Sequence, residues 1–248
     1  MPRILLFSLI LASAVLAGCA SAPQSPKAEA VPSQLPLVFG AADKLRWQPL
    51  QLPGKLRTAF RLDQQAGRAC VQAEAVGSAS MLRHKLRVGA EQLGHLHFEW
   101  QVANLLEGAD MTQREAEDSP VRVVLAFDGD RRQFSARNAM LSELTRAVTG
   151  EDMPYAMLMY VWSNDLPVGT VITNPRTDRI RKIVVESGPQ RLRQWLRYER
   201  DIAADFERAF GEPMGPLQSI AIMSDADNTQ GRTQAWYGEI ALRPASRP

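Results

Sequence analysis

The residues with most chemistry in them are carboxylates, and two short segments hold many of them. Asp225, Asp227 and Asn228 form an oxygen-rich turn after an apolar run. Alternate acidic side chains with loop carbonyls suit calcium, a hard cation that takes about six to eight oxygen ligands. The segment does not complete an EF-hand loop, because Gly231 stands one position late and no Glu closes it. The preferred reading is a turn in which Asp and Asn bond their own backbone. A structural calcium at Asp225 and Asp227 is the alternative, and no other cofactor is expected. Asp118 would join such a site only if the fold brings the two segments together.

The second segment gathers Glu107, Asp110, Glu115, Glu117 and Asp118 ahead of an apolar strand. A general acid–base pair needs two carboxylates about 5–10 Å apart on a rigid frame. No spacing in the sequence fixes that separation, so a solvated acidic loop is the default. Arg122 alternates with Val121 and Val123 and points to the opposite face, where Asp118 or another buried carboxylate would pair with it. His95, His97 and Glu99 share one face of a strand and have the spacing of a zinc site. A solvated face opposite Leu96, Phe98 and Trp100 is the simpler reading. Trp236 and Tyr237 point to opposite faces; Trp236 is assigned to the core and Tyr237 to an exposed position where it could stack on a sugar ring. The chain has no G-x-S-x-G elbow, phosphate loop or dinucleotide fingerprint.

These side chains must be positioned by strands. Leu96, Phe98, Trp100 and Val102 alternate with polar neighbours; so do Val121 to Phe127, Ala156 to Trp162 and Trp236 to Leu242. The run at 156–162 is apolar on both faces, which predicts a central, doubly covered strand. Weaker strands are expected at 57–62, 69–75, 82–88, 180–186 and 218–224. One helix is expected over 201–210, stopped by Gly211, and a second over about 135–148 from the spacing of Leu141, Leu144 and Val148. Many strands, few helices and no βαβ alternation predict a mainly β fold, a β-sandwich of jelly-roll type with one or two short helices.

The N-terminus sets the expected compartment. Arg3 precedes an apolar run from Ile4 to Leu16, too short to favour a membrane span and suited to a secretory signal. It ends in Leu16-Ala17-Gly18-Cys19, which resembles the lipobox of bacterial lipoproteins and makes Cys19 the expected site of acylation. By resemblance to the enterobacterial sorting rule, Ala20 after the cysteine points to the outer membrane. The expected organisation is a signal peptide at 1–18, a Pro-rich tether at 19–36 and a single domain at 37–248. Removing 1–18 leaves 28 Lys plus Arg against 27 Asp plus Glu, without a basic block, so nucleic acid is excluded as a partner. Cys70 is then without a partner in the chain and is read as a small buried hydrophobe.

Several segments resemble one family, the bacterial domain of unknown function numbered 3047. They are Phe98-Glu99-Trp100, Glu117-Asp118-Ser119-Pro120-Val121-Arg122-Val123, Tyr160-Val161-Trp162, Thr173-Asn174-Pro175 and Val185-Glu186-Ser187-Gly188. Asp205-Phe206, Phe210-Gly211, Ser224 to Thr229 and Trp236 to Ile240 complete the set. The resemblance spans about Trp47 to Leu242. Glu99 stands where the family usually has a basic residue, so no shared role attaches to it. The resemblance implies a secreted β-sandwich without a known activity, and its closing strand is similar to those of carbohydrate-binding jelly rolls.

The expected function is non-catalytic binding of a glycan or another envelope polymer by a lipid-anchored domain, at the periplasmic face of the outer membrane. Candidate ligand-binding residues are Asp118, Arg122, Asp225, Asp227, Asn228 and Tyr237. Two alternatives stand beside it. A polysaccharide hydrolase would need a cleft holding two of the carboxylates, one with a raised pKa. A protein-binding scaffold would show an exposed apolar patch and no deep cleft.

Overall fold

The computed structural model describes residues 33–40 and 47–245. The signal segment and Cys19 lie outside the described residues. In chain order the strands are β1 (Leu37–Phe39), β2 (Gln48–Gln51), β3 (Ala59–Gln65), β4 (Arg68–Val76), β5 (Ala79–Val88), β6 (Leu93–Val102) and β7 (Ser119–Phe127). Then come helix α1 (Ala136–Thr149), β8 (Ala156–Ser163), β9 (Val171–Thr173), β10 (Ile180–Ser187), β11 (Leu196–Asp201), helix α2 (Ile202–Phe210), β12 (Leu217–Asp225) and β13 (Arg232–Pro244).

They form two sheets. The first runs β11-β6-β13-β4-β3, with β1 also on β13. The second runs β2-β5-β12-β7-β8-β10-β9. The alternation read from the sequence is what joins them. Phe98, Trp100 and Tyr237 from the first sheet meet Val123, Leu125, Tyr160 and Trp162 from the second in one continuous core. The fold is a β-sandwich of jelly-roll type. As expected, β8 is central in its sheet and buried on both faces. Its other face joins a second apolar cluster of Met81, Val124, Met159, Val161, Val184 and Met223, covered in part by Met111 from the loop before β7.

Both expected helices form. In α2 the Asp201 side chain accepts from Ala204 N–H, and Gly211 closes the helix at φ 72°. α1 is capped by Ser135 and Gly150, but it is turned the other way from its apolar spacing. Its buried residues are Asn138 and Ser142, while Met140, Leu144 and Val148 are 64%, 59% and 58% exposed. Asn138 explains the orientation, because it donates to Asp178 and accepts from Thr177 Oγ1. Strands β1, β2, β9 and β11 add to those read from the sequence. The folded body also begins earlier than residue 37: Ser33 N–H donates to Arg87 O, and Leu35 packs on the core. Among the described residues no helix is long and apolar enough to cross a membrane.

Candidate functional site

The two carboxylate segments meet at one end of β7 and β12, on the face of the second sheet turned away from the core. Antiparallel pairing sets Met223 opposite Arg122 and Asp225 opposite Ser119, with a shift of register between them. Arg122 and Asp225 therefore lie side by side. The guanidinium donates to Asp225 through Nη2–Oδ2 at 2.8 Å, Nη2–Oδ1 at 3.0 Å and Nε–Oδ1 at 3.2 Å. A further Nη2 bond of 2.8 Å reaches the Glu117 carbonyl. Ser119 N–H also donates to Asp225 Oδ1. Asp118 accepts from Asn228 N–H, Thr229 N–H and Thr229 Oγ1, which ties the 225–229 turn to the start of β7. Lys55 pairs with Asp227. Lys182, wholly buried on β10, contacts Glu117 Oε1 at 2.7 Å, and Asn174 Nδ2 donates to the same oxygen at 2.6 Å.

Burial decides what these groups can do. Arg122 and Asp118 are each 2% exposed and Asp225 is 4% exposed. Glu117 and Asp118 are thus not part of a solvated loop, although Glu107 and Glu115 are exposed as expected. Burial pushes Asp225 up to about 6, against the attraction of Arg122 and with Asp118 adding to the rise. Burial and the Arg122 charge push Lys182 down to about 8, against Glu117. Asp118, Asp225 and Asp227 each bring an oxygen within 4.8 Å of the others, a separation a cation could bridge. Arg122 and Lys55 already supply positive charge there, and backbone donors occupy Asp118. The arrangement is that of a sealed ion-pair network.

Tyr237 is not the exposed aromatic the alternation suggested. It is fully buried between the sheets, because its face of β13 is the core face. Its hydroxyl donates to Met223 O at 2.5 Å and accepts from Arg122 N–H at 3.2 Å, meeting both strands where their register shifts. Trp236 takes the other face and is 8% exposed, with Nε1 donating to Asp63. Asn228 holds the turn through its side-chain bond to Arg114 O. Lys182 is not among the candidates read from the sequence, and Asn174 enters there only within the Thr173-Asn174-Pro175 segment. The signal was present in Lys182, a charge in a strand whose neighbours Ile183, Val184 and Val185 are all apolar.

An open concavity lies elsewhere, on the outer face of the first sheet. It is a depression of about 230 Å³ bordered by His97, Glu99, Arg197, Tyr198, Glu239 and Arg243. Glu99 Oε2 accepts from Arg68 Nη1 at 2.7 Å and Arg197 Nε at 2.9 Å. It lies over Gly238, where an added Cβ would stand 2.4 Å from Glu99 Cγ. The half-buried Trp195 ring packs against the Arg68 guanidinium at 5.4 Å. Glu99 is not solvated as the simple reading expects: its side chain is 13% exposed and is held by the two arginines.

Three of the segments that carry the family resemblance, Glu117 to Val123, Thr173-Asn174-Pro175 and Ser224 to Thr229, build the sealed network. A family model described as Protein of unknown function (DUF3047) matches residues 45–241. The chain belongs to the DUF3047 family. Among curated proteins none matches it. Solved structures with a similar arrangement include the glycoside hydrolase domain of Endo-D from Streptococcus pneumoniae R6, at 9% identity and a TM-score of 0.33, covering 80% of this chain but 22% of that one. The xyloglucanase domain of NopAA, a type three effector from Sinorhizobium fredii, is 8% identical with a TM-score of 0.41, covering 80% and 92%. Endoglucanase 3 of Trichoderma harzianum, from family GH12, is 8% identical with a TM-score of 0.42, covering 84% and 97%. None of these likenesses carries an activity over to this DUF3047 chain.

Proposed function

We propose that this DUF3047 protein is a non-catalytic binding protein of the bacterial cell envelope, held to the membrane by an acylated Cys19. The observation that carries the non-catalytic reading is the closure of the network: Asp118, Asp225 and Arg122 are buried and already bonded to one another or to the backbone. A general acid or base must reach its substrate, and these carboxylates do not. A hydrolase built on Asp118 or Asp225 is therefore the weaker reading, even with Asp225 raised, and the less buried Asp227 is paired with Lys55.

The ligand-binding surface is the depression bordered by His97, Glu99, Arg197 and Arg243. Its border is rich in hydrogen-bonding side chains, with Glu239 and Arg243 exposed, and suits a hydroxyl-rich envelope glycan. The full chain, melted against a panel of envelope glycans, should gain about 2.7 kcal/mol at a hundred times the dissociation constant. Glu239→Ala and Arg243→Ala should lose that gain. A flat panel would remove the glycan reading, and release of shortened glycan would restore the hydrolase.

A second reading is favoured by α1. Met140, Leu144 and Val148 recur at helical spacing on its outward face, as a scaffold for an envelope protein would require. Leu144→Glu should then abolish cross-linking to that protein while leaving the glycan melts unchanged. The anchor itself rests on the apolar run and Leu16-Ala17-Gly18-Cys19; Cys19→Ser should move the protein from the membrane to the soluble fraction.

A further inference from the structure

We propose that Lys182 and Asn174 react to form an intramolecular amide bond, with Glu117 carrying the protons. The three side chains are arranged for it. Lys182 Nζ and Asn174 Nδ2 both touch Glu117 Oε1, at 2.7 and 2.6 Å. The second Glu117 oxygen, Oε2, is buried and accepts no hydrogen bond among the described residues, so it is open to a proton. Asn174 Oδ1 accepts from Arg176 N–H at 2.9 Å. A backbone N–H can only donate, which fixes which end of the Asn174 amide is oxygen. That same donor sits where negative charge would develop during attack on the amide carbon.

Strand register explains why the pair meets. Arg181 lies opposite Thr173 and Lys182 opposite Ile172, while Asn174 N–H bonds Ile180 O. Lys182 and Asn174 are therefore diagonal neighbours on one face of the β9–β10 pair. Both are buried, at 0% and 8% exposure, and Glu117 is 9% exposed. In such surroundings moving a proton from the ammonium to the carboxylate replaces two charges by two neutral groups. Burial and Arg122 favour the neutral amine further. Holding the amine beside the amide supplies the proximity such a reaction needs.

The atoms balance without a further reactant. Glu117 takes one proton from the Lys182 ammonium, and the amine lone pair bonds to Asn174 Cγ. Glu117 then gives that proton to Nδ2 and takes one from the new C–N nitrogen. The Cγ–Nδ2 bond breaks and ammonia leaves. The products are a secondary amide, neutral Glu117 and ammonia, and no atom changes oxidation state. The bond would pin β9, the edge strand of the second sheet, to β10.

A tryptic map of the full chain by mass spectrometry tests this. The expected product is one linked species, in which the peptide ending at Arg176 is joined to the peptide from Lys182 to Arg191. It should be uncut after Lys182 and lighter than the sum of the two peptides by one ammonia. Separate peptides of unmodified mass, with normal cleavage after Lys182, would overturn the proposal and leave an ordinary buried ion pair. Folded Glu117→Gln should show only the separate peptides; if it links as the wild type does, Glu117 is not the proton carrier and the proposal fails. Should that variant not fold, the wild-type map decides alone.

Discussion

Arg122→Met tests the reading of the sealed network as structure and not catalysis. The change keeps an unbranched stem of similar reach and removes the guanidinium. Asp225 then loses three contacts of 2.8–3.2 Å and the one cation bonded to it. Removing one partner of a buried pair costs about 3–5 kcal/mol. For a domain of this size each kcal/mol moves Tm by about 2–4 °C, so Tm should fall by about 6–20 °C at neutral pH. The cost should depend on pH in a definite direction. In the wild type the folded carboxyl sits at about 6 against an ordinary value of 3.8. The folded state thus binds the extra proton between those values, and stability from this group is lost as pH rises through them. Without Arg122 the folded value moves higher, so the loss extends through neutral pH and shrinks again near pH 5. Urea denaturation followed by tryptophan fluorescence at pH 5 and pH 8 measures both effects. Arg122→Met combined with Asp225→Leu removes both desolvation costs and should recover to within about 1–2 kcal/mol of wild type. A neutral or stabilising Arg122→Met at pH 8 would refute the argument, since removing a group from a strained catalytic site commonly stabilises a protein.

Three further outcomes follow from the same geometry. Tyr237→Phe leaves Arg122 N–H and Met223 O without the hydroxyl that joins them, and should cost about 1–3 kcal/mol in chemical denaturation. Arg83 and Lys85 hold Glu151 down to about 2 from 4.5, so its contribution is present above pH 4.5 and fades as pH falls toward 2. With the Glu151 side chain 44% exposed that contribution should stay below about 1 kcal/mol, and Glu151→Gln should flatten this part of the acid titration of stability. Melts in calcium and in chelator should superpose, because Arg122 and Lys55 already neutralise the three-carboxylate cluster; a calcium-dependent rise in Tm would make Asp225 and Asp227 ligands after all.

Much of the frame was legible because burial and period agree in it. Leu96 to Val102 and Val121 to Phe127 alternate cleanly, and each supplies a row of the core. Asp201 and Gly211 marked the ends of α2 by chemistry that acts within one turn. Where side chains of both kinds are buried, period alone loses its direction. α1 has a correct apolar spacing, yet its inward side is set by Asn138, whose partners Thr177 and Asp178 lie some forty residues away and could not be read locally. Trp236 and Tyr237 were correctly separated to opposite faces, but which face is the core depends on strand order.

The site was legible in parts and not in assembly. The alternation puts Arg122 on the face opposite Val121 and Val123, where a buried carboxylate could pair with it. Asp225 stands 103 positions further on, and only the pairing of β12 with β7 supplies it. The register shift between Met223 and Asp225 then gives the arginine its bidentate partner and gives Tyr237 two backbone groups to bond. The same closure that satisfies every one of these groups withdraws them from solvent. Under the proposed binding function, a ligand meets this fold at surfaces the network leaves open, the depression bordered by His97, Glu99 and Arg197 or the outward face of α1, and not at the buried Asp118–Asp225 cluster.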